Sequence, residues 1–395
     1  MGNEQSSIVA RFSPARHSLP VTHYRFMSIK IKRIEPLAVS VPMVKPVKMS
    51  FEEVRAARNV LVRIETGDGV VGWGEAASAP TMTGETVESM VTAVRYLAPL
   101  LEGMPAADIE VVMSRAEPYL YGNRAAKSAI EMALYDALGR ATGKPVCELL
   151  GVKRRDRAPL LRLIGTGSTE GDLAEAKARK TEGYVAFKIK VGVADPAADA
   201  ERTRALCAAL GHDVLICADA NQGWSAEQAV AYVRAIEDTG LEFFEQPVPA
   251  HDLEGMARVA RASRIKIGAD EGLHSFEDLK RHHGLGAAHG GSLKTIKLGG
   301  MKPVCDAAQL CGKLGMKVNL ACKMAETGVA AAAMLHIAAA IPAVDWAVSL
   351  TNDYLAGDIL KQPLPRSNGH AKVPSGPGLG IEVDEEKVRR YAREI

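Results

Sequence analysis

A chain of 395 residues, 47% hydrophobic and 24% charged, holds enough apolar material for a full core and for two packed units. A formal net charge of +2, with no basic stripe interleaved with aromatics, lacks the footprint of a nucleic-acid binder, which leaves small-molecule chemistry as the expectation. Cys147, Cys207, Cys217, Cys305, Cys311 and Cys322 are scattered without a C-x-x-C pair, so no disulfide or zinc framework is expected, and free thiols in a reducing cytoplasm are.

Residues 1–27 carry neither an apolar h-region nor a cleavage site and read as a flexible extension, with Met27 as a candidate natural start. Residues 28–155 read as an α+β unit. Its strand-rich first part includes "NVLVRIETGDGVVGWGEA", two alternating runs joined by a Gly-Asp-Gly hairpin signal. From Thr86 to Leu150 the period becomes helical, as in "AAKSAIEMALYDALGRATGKPVCELLG", which ends at glycine.

Over residues 156–355 eight apolar strand-like runs alternate with helix-forming segments. That rhythm predicts a parallel sheet, and eight repeats fit a closed (β/α)8-type barrel better than an open one. The alanine-rich "AETGVAAAAMLHIAAAIPAV", with Glu326 and His336 inside it, reads as a buried helix rather than a membrane span. Residues 356–395 are too polar for another barrel unit and are expected to pack on the first domain.

Charged residues interrupt the apolar strand ends at Lys188, Lys190, Asp219, Glu245, Asp270 and Lys294. From Lys190 onward the steps are 29, 26, 25 and 24 residues, each one strand-helix unit. Residues so spaced return to one height in a barrel, at the mouth formed by the C-terminal strand ends. Three carboxylates held together repel unless a cation joins them, and an all-oxygen set favours a hard ion such as Mg²⁺ or Mn²⁺. Asn221 is placed to support a ligand carboxylate. Lys188 and Lys190 share a face of their strand, and a closed barrel has no solvated edge to receive them. Lys190 and Lys294 would approach a substrate from opposite sides. A lysine beside another ammonium and a divalent cation is expected to have a depressed pKa and to act as a base toward a proton α to a carboxylate, with Lys188 depressing Lys190. Lys297 reads as a supporting or surface lysine and Glu271 as a support or lid contact. "GTGSTEG" (Gly165–Gly171) is only a weak phosphate-loop signal.

The set "FKIKVG", "DANQGW", "EQP", "ADEG", "KTIKLGG" and "PGLGIEVDEE" resembles the enolase superfamily in its muconate-lactonizing subgroup, from Ile29 to the C-terminus. The resemblance implies a modified TIM barrel, (β/α)7β, with an α+β capping domain that includes the C-terminal segment. It makes Asp219, Glu245 and Asp270 ligands of Mg²⁺ or Mn²⁺, Lys190 and Lys294 the acid/base pair, and Lys188 their assistant. It also implies a small carboxylic acid substrate and a homo-oligomer. The capping loops 44–57 and 77–85 would set specificity through Met49, Phe51 and Met82.

Several positions depart from the cycloisomerase pattern. Ser349 in "WAVS" stands where an acidic residue is usual, and Lys323 in "ACKMAE", near Glu326, replaces a small hydroxyl residue and adds a cation. Asp345 lacks the second aspartate of a D-x-D, which disfavours a free-amino dipeptide. The expected activity is cycloisomerisation of a muconate-like diacid. Racemisation or epimerisation of an N-substituted amino acid and acid dehydration are alternatives within the class. A Schiff-base lysine aldolase and a non-catalytic binding barrel are rivals outside it.

Overall fold

The computed structural model describes residues 29–48 and 53–395. The extension over residues 1–27 and the loop residues Met49 and Phe51 lie outside them.

Three antiparallel strands, β1 (Ile31–Lys48), β2 (Glu53–Thr66) and β3 (Val71–Ala77), open the chain in sequential order. The Gly-Asp-Gly signal forms the β2–β3 turn, where Thr66 N–H donates to Val70 O at 2.9 Å and Gly69 takes φ +84°. Much of the segment 44–57, read as a loop from sequence, is instead the end of the β1–β2 hairpin, where Val47 pairs with Val54 beyond a register shift at Pro42. Buried Val54 and Ala57 hold that end on the core.

Four helices follow: α1 (Val87–Leu101), α2 (Ile109–Ala116), α3 (Arg124–Thr142) and α4 (Val146–Leu150). Thr86 and Ser89 cap α1 reciprocally, and left-handed Gly143 ends α3. The α3 backbone lies directly on β3, an approach that only glycine permits. A Cβ on Gly74 would sit 1.9 Å from Ala129 O, and one on Gly72 2.1 Å from Ala133 O. Because both obstacles are backbone, Gly74→Ala is expected to cost about 3 kcal/mol or more, at the upper end for overpacking. Denaturant unfolding would read this directly, and a midpoint equal to wild type would show that α3 can shift freely.

After the short β4 (Arg157–Pro159), eight parallel strands form one sheet in sequential order: β5 (Leu161–Ile164), β6 (Ala186–Lys190), β7 (Leu215–Asp219), β8 (Phe243–Glu245), β9 (Lys266–Ala269), β10 (Gly290–Leu293), β11 (Lys317–Ala321) and β12 (Val348–Ser349). The connecting helices are α5 (Thr169–Thr181), α6 (Pro196–Leu210), α7 (Ala226–Ala235), α8 (Leu253–Ala262), α9 (Phe276–Gly284), the one-turn α10 (Thr295–Leu298) with α11 (Met301–Leu314), and α12 (Gly328–Ala340). The parallel bridge Leu160–Val348 returns the last strand to the first, so the sheet is a nearly closed (β/α)7β barrel. Strand interiors are apolar on both sides because helices cover the outside while Phe243, Trp346, Leu161, Ala186 and Cys217 fill the inside. Phe243 and Trp346 stack with centroids 4.0 Å apart. The Gly165–Gly171 segment is a helix cap: Ser168 Oγ accepts from Gly171 N, and Asp172 accepts from Thr166 N.

α12 is the alanine-rich stretch, and His336 within it accepts from Cys147 N at 3.2 Å. Among the described residues no helix is long and apolar enough to cross a membrane. The six cysteines are free and buried.

The C-terminal segment runs back along the molecule. β13 (Arg366–Ser367) and β14 (His370–Lys372) form a small sheet with β4, while α13 (Glu385–Tyr391) precedes a return to β1. Leu379 N donates to Asp136 of α3 at 2.7 Å, and Arg393 N to Ala38 O at 3.0 Å.

Candidate active site

Strand register assembles the site. Lys190 pairs with Asp219, Asp219 with Glu245, and Glu245 with Gly268, so the inward face of β9 reaches Asp270 two residues later. β10 presents Ser292 and then, just past its end, Lys294. Both lysines of "FKIKVG" therefore point into the barrel, where Lys188 is 8% exposed.

Each carboxylate meets an ammonium group. Lys190 Nζ lies 2.7 Å from Asp219 Oδ2, Lys188 Nζ 2.5 Å from Glu245 Oε2 and 3.6 Å from Asp219. Lys294 Nζ donates to Asp270 Oδ2. Lys297 Nζ takes the other Asp270 oxygen at 2.6 Å and Ser292 O at 2.9 Å. Three buried ammonium groups and the partly exposed one of Lys190 thus face Asp219, Glu245 and Asp270, a balance without which burying so many charges would be prohibitive.

Lys297 differs from its sequence reading in setting. "TIKL" is not strand but the one-turn α10, which turns Lys297 beneath Asp270, fully buried and outside the cavity. Asn221 leaves the extended strand at φ +42°, so its side chain accepts from Lys190 and donates to Glu271 at 3.0 Å, and only its backbone N–H reaches a candidate ligand carboxylate, Asp219 Oδ1 at 3.0 Å.

The electrostatics follow from these pairs. Burial raises the Asp270 and Asp219 carboxyls, but the adjacent lysines outweigh it and hold both below the usual range. Burial and the neighbouring Asp270 and Asp219 charges push Glu271 up to about 7. Glu245 is raised by burial, only partly relieved by Lys188. Burial alone would depress Lys188 and Lys294, yet the facing carboxylates lift both above the ordinary lysine value. Lys297 is the lysine lowered, by burial and by Lys294.

Among the described residues no three His, Cys, Asp or Glu side chains converge tightly enough to hold an ion as they stand, because the carboxylates are turned onto lysines. The donor set nonetheless fits a hard divalent cation. It is oxygen only, and it sits in register on adjacent strands.

A cavity of about 90 Å³ opens above this cluster, lined on one side by Lys188, Lys190, Asp219, Asp270, Glu271 and Lys294. The opposite wall carries Leu161, Leu163, Lys323, Ser349, Thr351 and Tyr354. Met82 closes the top with its sulfur 4.0 Å from Lys294 Nζ. Glu85 fixes that loop by accepting from Ala125 N and Ala126 N at the start of α3, at 2.9 and 3.1 Å. Glu326 lies outside the cavity, where it accepts from Lys323 N at 3.0 Å. Asp345 is at the opposite end of the barrel, 2.9 Å from Lys317, so β12 presents no carboxylate to the cavity.

Sequence reasoning missed Tyr354, Thr351 and Leu163. The first two follow the last strand, where no periodic signal singles them out. Leu163 is one apolar residue among several in its run.

A parallel barrel with paired lysines and carboxylates at its mouth defines an acid/base enzyme of the barrel class. Residues 33–151 match the family described as mandelate racemase / muconate lactonizing enzyme, N-terminal domain, and residues 172–387 match enolase C-terminal domain-like. The chain belongs to this family, in the muconate-lactonizing subgroup of the enolase superfamily. It is 33% identical to the chloromuconate cycloisomerase of Pseudomonas sp. (strain P51), over 92% of this chain and 100% of that one. It is 32% identical to muconate cycloisomerase 1-1 of Acinetobacter lwoffii, over 93% and 97%. The muconate lactonizing enzyme from Pseudomonas fluorescens complexed with muconolactone superposes with a TM-score of 0.89 at 32% identity, covering 93% of this chain and 100% of that chain. An N-succinyl Arg/Lys racemase from Bacillus cereus superposes with a TM-score of 0.88 at 28% identity, covering 92% and 98%.

Proposed function

We propose that the protein is a muconate cycloisomerase-like enzyme that moves a proton at the carbon α to a carboxylate of a small diacid. The observation that carries this reading is the lysine-flanked row of in-register carboxylates at the floor of one cavity, lined by Asp219 and Asp270 with Glu245 buried between them, in a chain similar along nearly its whole length to cycloisomerases. Asp219, Glu245 and Asp270 would hold Mg²⁺ or Mn²⁺, which when bound withdraws charge from the reacting carboxylate. Lys190 delivers the proton. As one substrate carboxylate oxygen adds to an alkene carbon, the Lys190 ammonium protonates the carbon α to the other carboxylate and then recovers a proton from solvent. One proton is consumed as the dianion becomes a lactone monoanion. Lys188 stays cationic between Glu245 and Asp219 and keeps the site's charge balanced. Met82 and the apolar wall keep water from the reacting carbon.

The reading also takes residues 28–155 as the capping domain, 156–355 as the barrel and 356–395 as a segment completing the cap, in a cytoplasmic homo-oligomer. Light scattering after gel filtration tests the last point, and a monomer would refute it.

Loss of the ultraviolet absorbance of cis,cis-muconate with enzyme and Mg²⁺ or Mn²⁺ is the expected result. No decay by metal-loaded enzyme would overturn cycloisomerisation. The placement of Lys190 on β6 and Lys294 after β10, four strands apart round the barrel, supports a second reading as a racemase. α-Deuterium exchange into N-succinyl amino acids would then be the activity found.

A further inference from the structure

The cavity wall formed by β11 and β12 takes no part in the proton transfer, yet it is built of polar groups. Ala321 pairs with Ser349, and Cys322 N donates to Ser349 O at 2.8 Å. Lys323 follows two residues after Ala321, so Lys323 and Ser349 neighbour each other on the lining of the cavity. Lys323 is held from behind. Thr351 Oγ1 donates to its carbonyl at 2.7 Å and accepts from Glu326 N at 3.2 Å, while Glu326 Oε2 accepts the Lys323 N–H at 3.0 Å. A lysine whose main chain is tied at both ends is placed, not adventitious. Ser349 Oγ is buried and, among the described residues, has no hydrogen-bond partner, a state that is destabilising unless a ligand supplies one. Beside them the Tyr354 hydroxyl accepts from Leu163 N at 3.2 Å, which leaves its own proton to donate.

We infer that Lys323 and Ser349 form a second anion subsite, which takes the substrate carboxylate farther from the Asp219, Glu245 and Asp270 row, the one whose oxygen adds to the alkene, and so selects dianions over monoanions. This rests on the diacid reading given above. An ammonium and a hydroxyl donor together recognise a carboxylate, and the Tyr354 hydroxyl adds a third donor to the same wall. No carboxylate of β12 lines the cavity to repel it. Such a subsite also accounts for serine in place of an acidic residue on this strand, since an acid there would cancel Lys323.

The test compares binding of adipate and hexanoate, which do not react, to the Mg²⁺-loaded protein by calorimetry. Wild type is expected to bind adipate at least tenfold more tightly. Lys323→Met should erase that preference, Lys323→Arg should keep most of it, and Ser349→Ala should reduce it about threefold. Ser349→Ala decides the matter if Lys323→Met does not fold. Wild type without a preference for adipate, or a preference that survives both Lys323→Met and Ser349→Ala, overturns the subsite. A preference lost in the variants while wild type leaves muconate unchanged supports the subsite and sinks cycloisomerisation, so the two failures are separable.

Discussion

Lys190→Ala is expected to lower turnover of cis,cis-muconate by about a thousandfold or more, in the range for losing a positioned acid/base group. Lys190 Nζ lines the cavity and is tied to Asp219 and Asn221, so its removal deletes the proton donor without opening the core. Asp219 keeps Lys188 at 3.6 Å, and the fold should survive. Steady-state rates with a thermal unfolding control would check this, and a variant retaining a tenth of wild-type rate would refute the assignment. Lys294→Ala separates the two readings. One-sided protonation needs only Lys190, so the Lys294 variant should keep far more cycloisomerase activity, whereas a racemase would lose interconversion in both variants.

Removal of divalent ions should have an effect of similar size. Exhaustive EDTA treatment is expected to abolish turnover, and Mg²⁺ or Mn²⁺ to restore it. Asp219, Glu245 and Asp270 are otherwise compensated only by lysines, two of which must be released for substrate. Glu245→Gln should weaken ion affinity at least a hundredfold, measured by calorimetry with Mn²⁺. Borohydride should not trap substrate on a lysine. Full activity after chelation, or a borohydride-trapped adduct, would instead bring back the Schiff-base reading.

Much of the site was legible in the sequence because barrel geometry turns a regular sequence interval into a shared height. The step from Lys190 through Asp219, Glu245 and Asp270 to Lys294 needed only strand-helix spacing. Lys297 shows where that rule stops: alternation fails where β10 gives way to a helical turn after Lys294, and Lys297 drops beneath Asp270. Buried carboxylates of the capping region were not legible. Glu75 in "GWGEA" sits where an alternating strand would show a solvent-facing residue, yet it accepts from Thr327 N, Thr327 Oγ1 and Ala330 N at 2.8, 2.7 and 2.9 Å. Besides Asn59 of β2, which donates at 2.6 Å, these partners lie some 250 residues away, beyond the reach of local periodicity. The β1–β2 hairpin extends beyond its sequence reading because "VKPVKMS" has the proline and lysines of a loop. Pairing of Val47 with Val54 outweighs them.

The return of the last residues to β1 has a consequence for how the protein is made. Ala392 bridges Val39, and Arg393 N reaches Ala38 O, so an early strand waits for the final residues of the chain. On a ribosome the β1–β3 sheet and α3 emerge first but lack this contact and the Asp136–Leu379 bond until residues 379–393 have been made. The described chain therefore begins and finishes on one face, with the barrel as a long excursion between, and rejoining those ends while cutting a barrel surface loop should give a permuted protein that still folds.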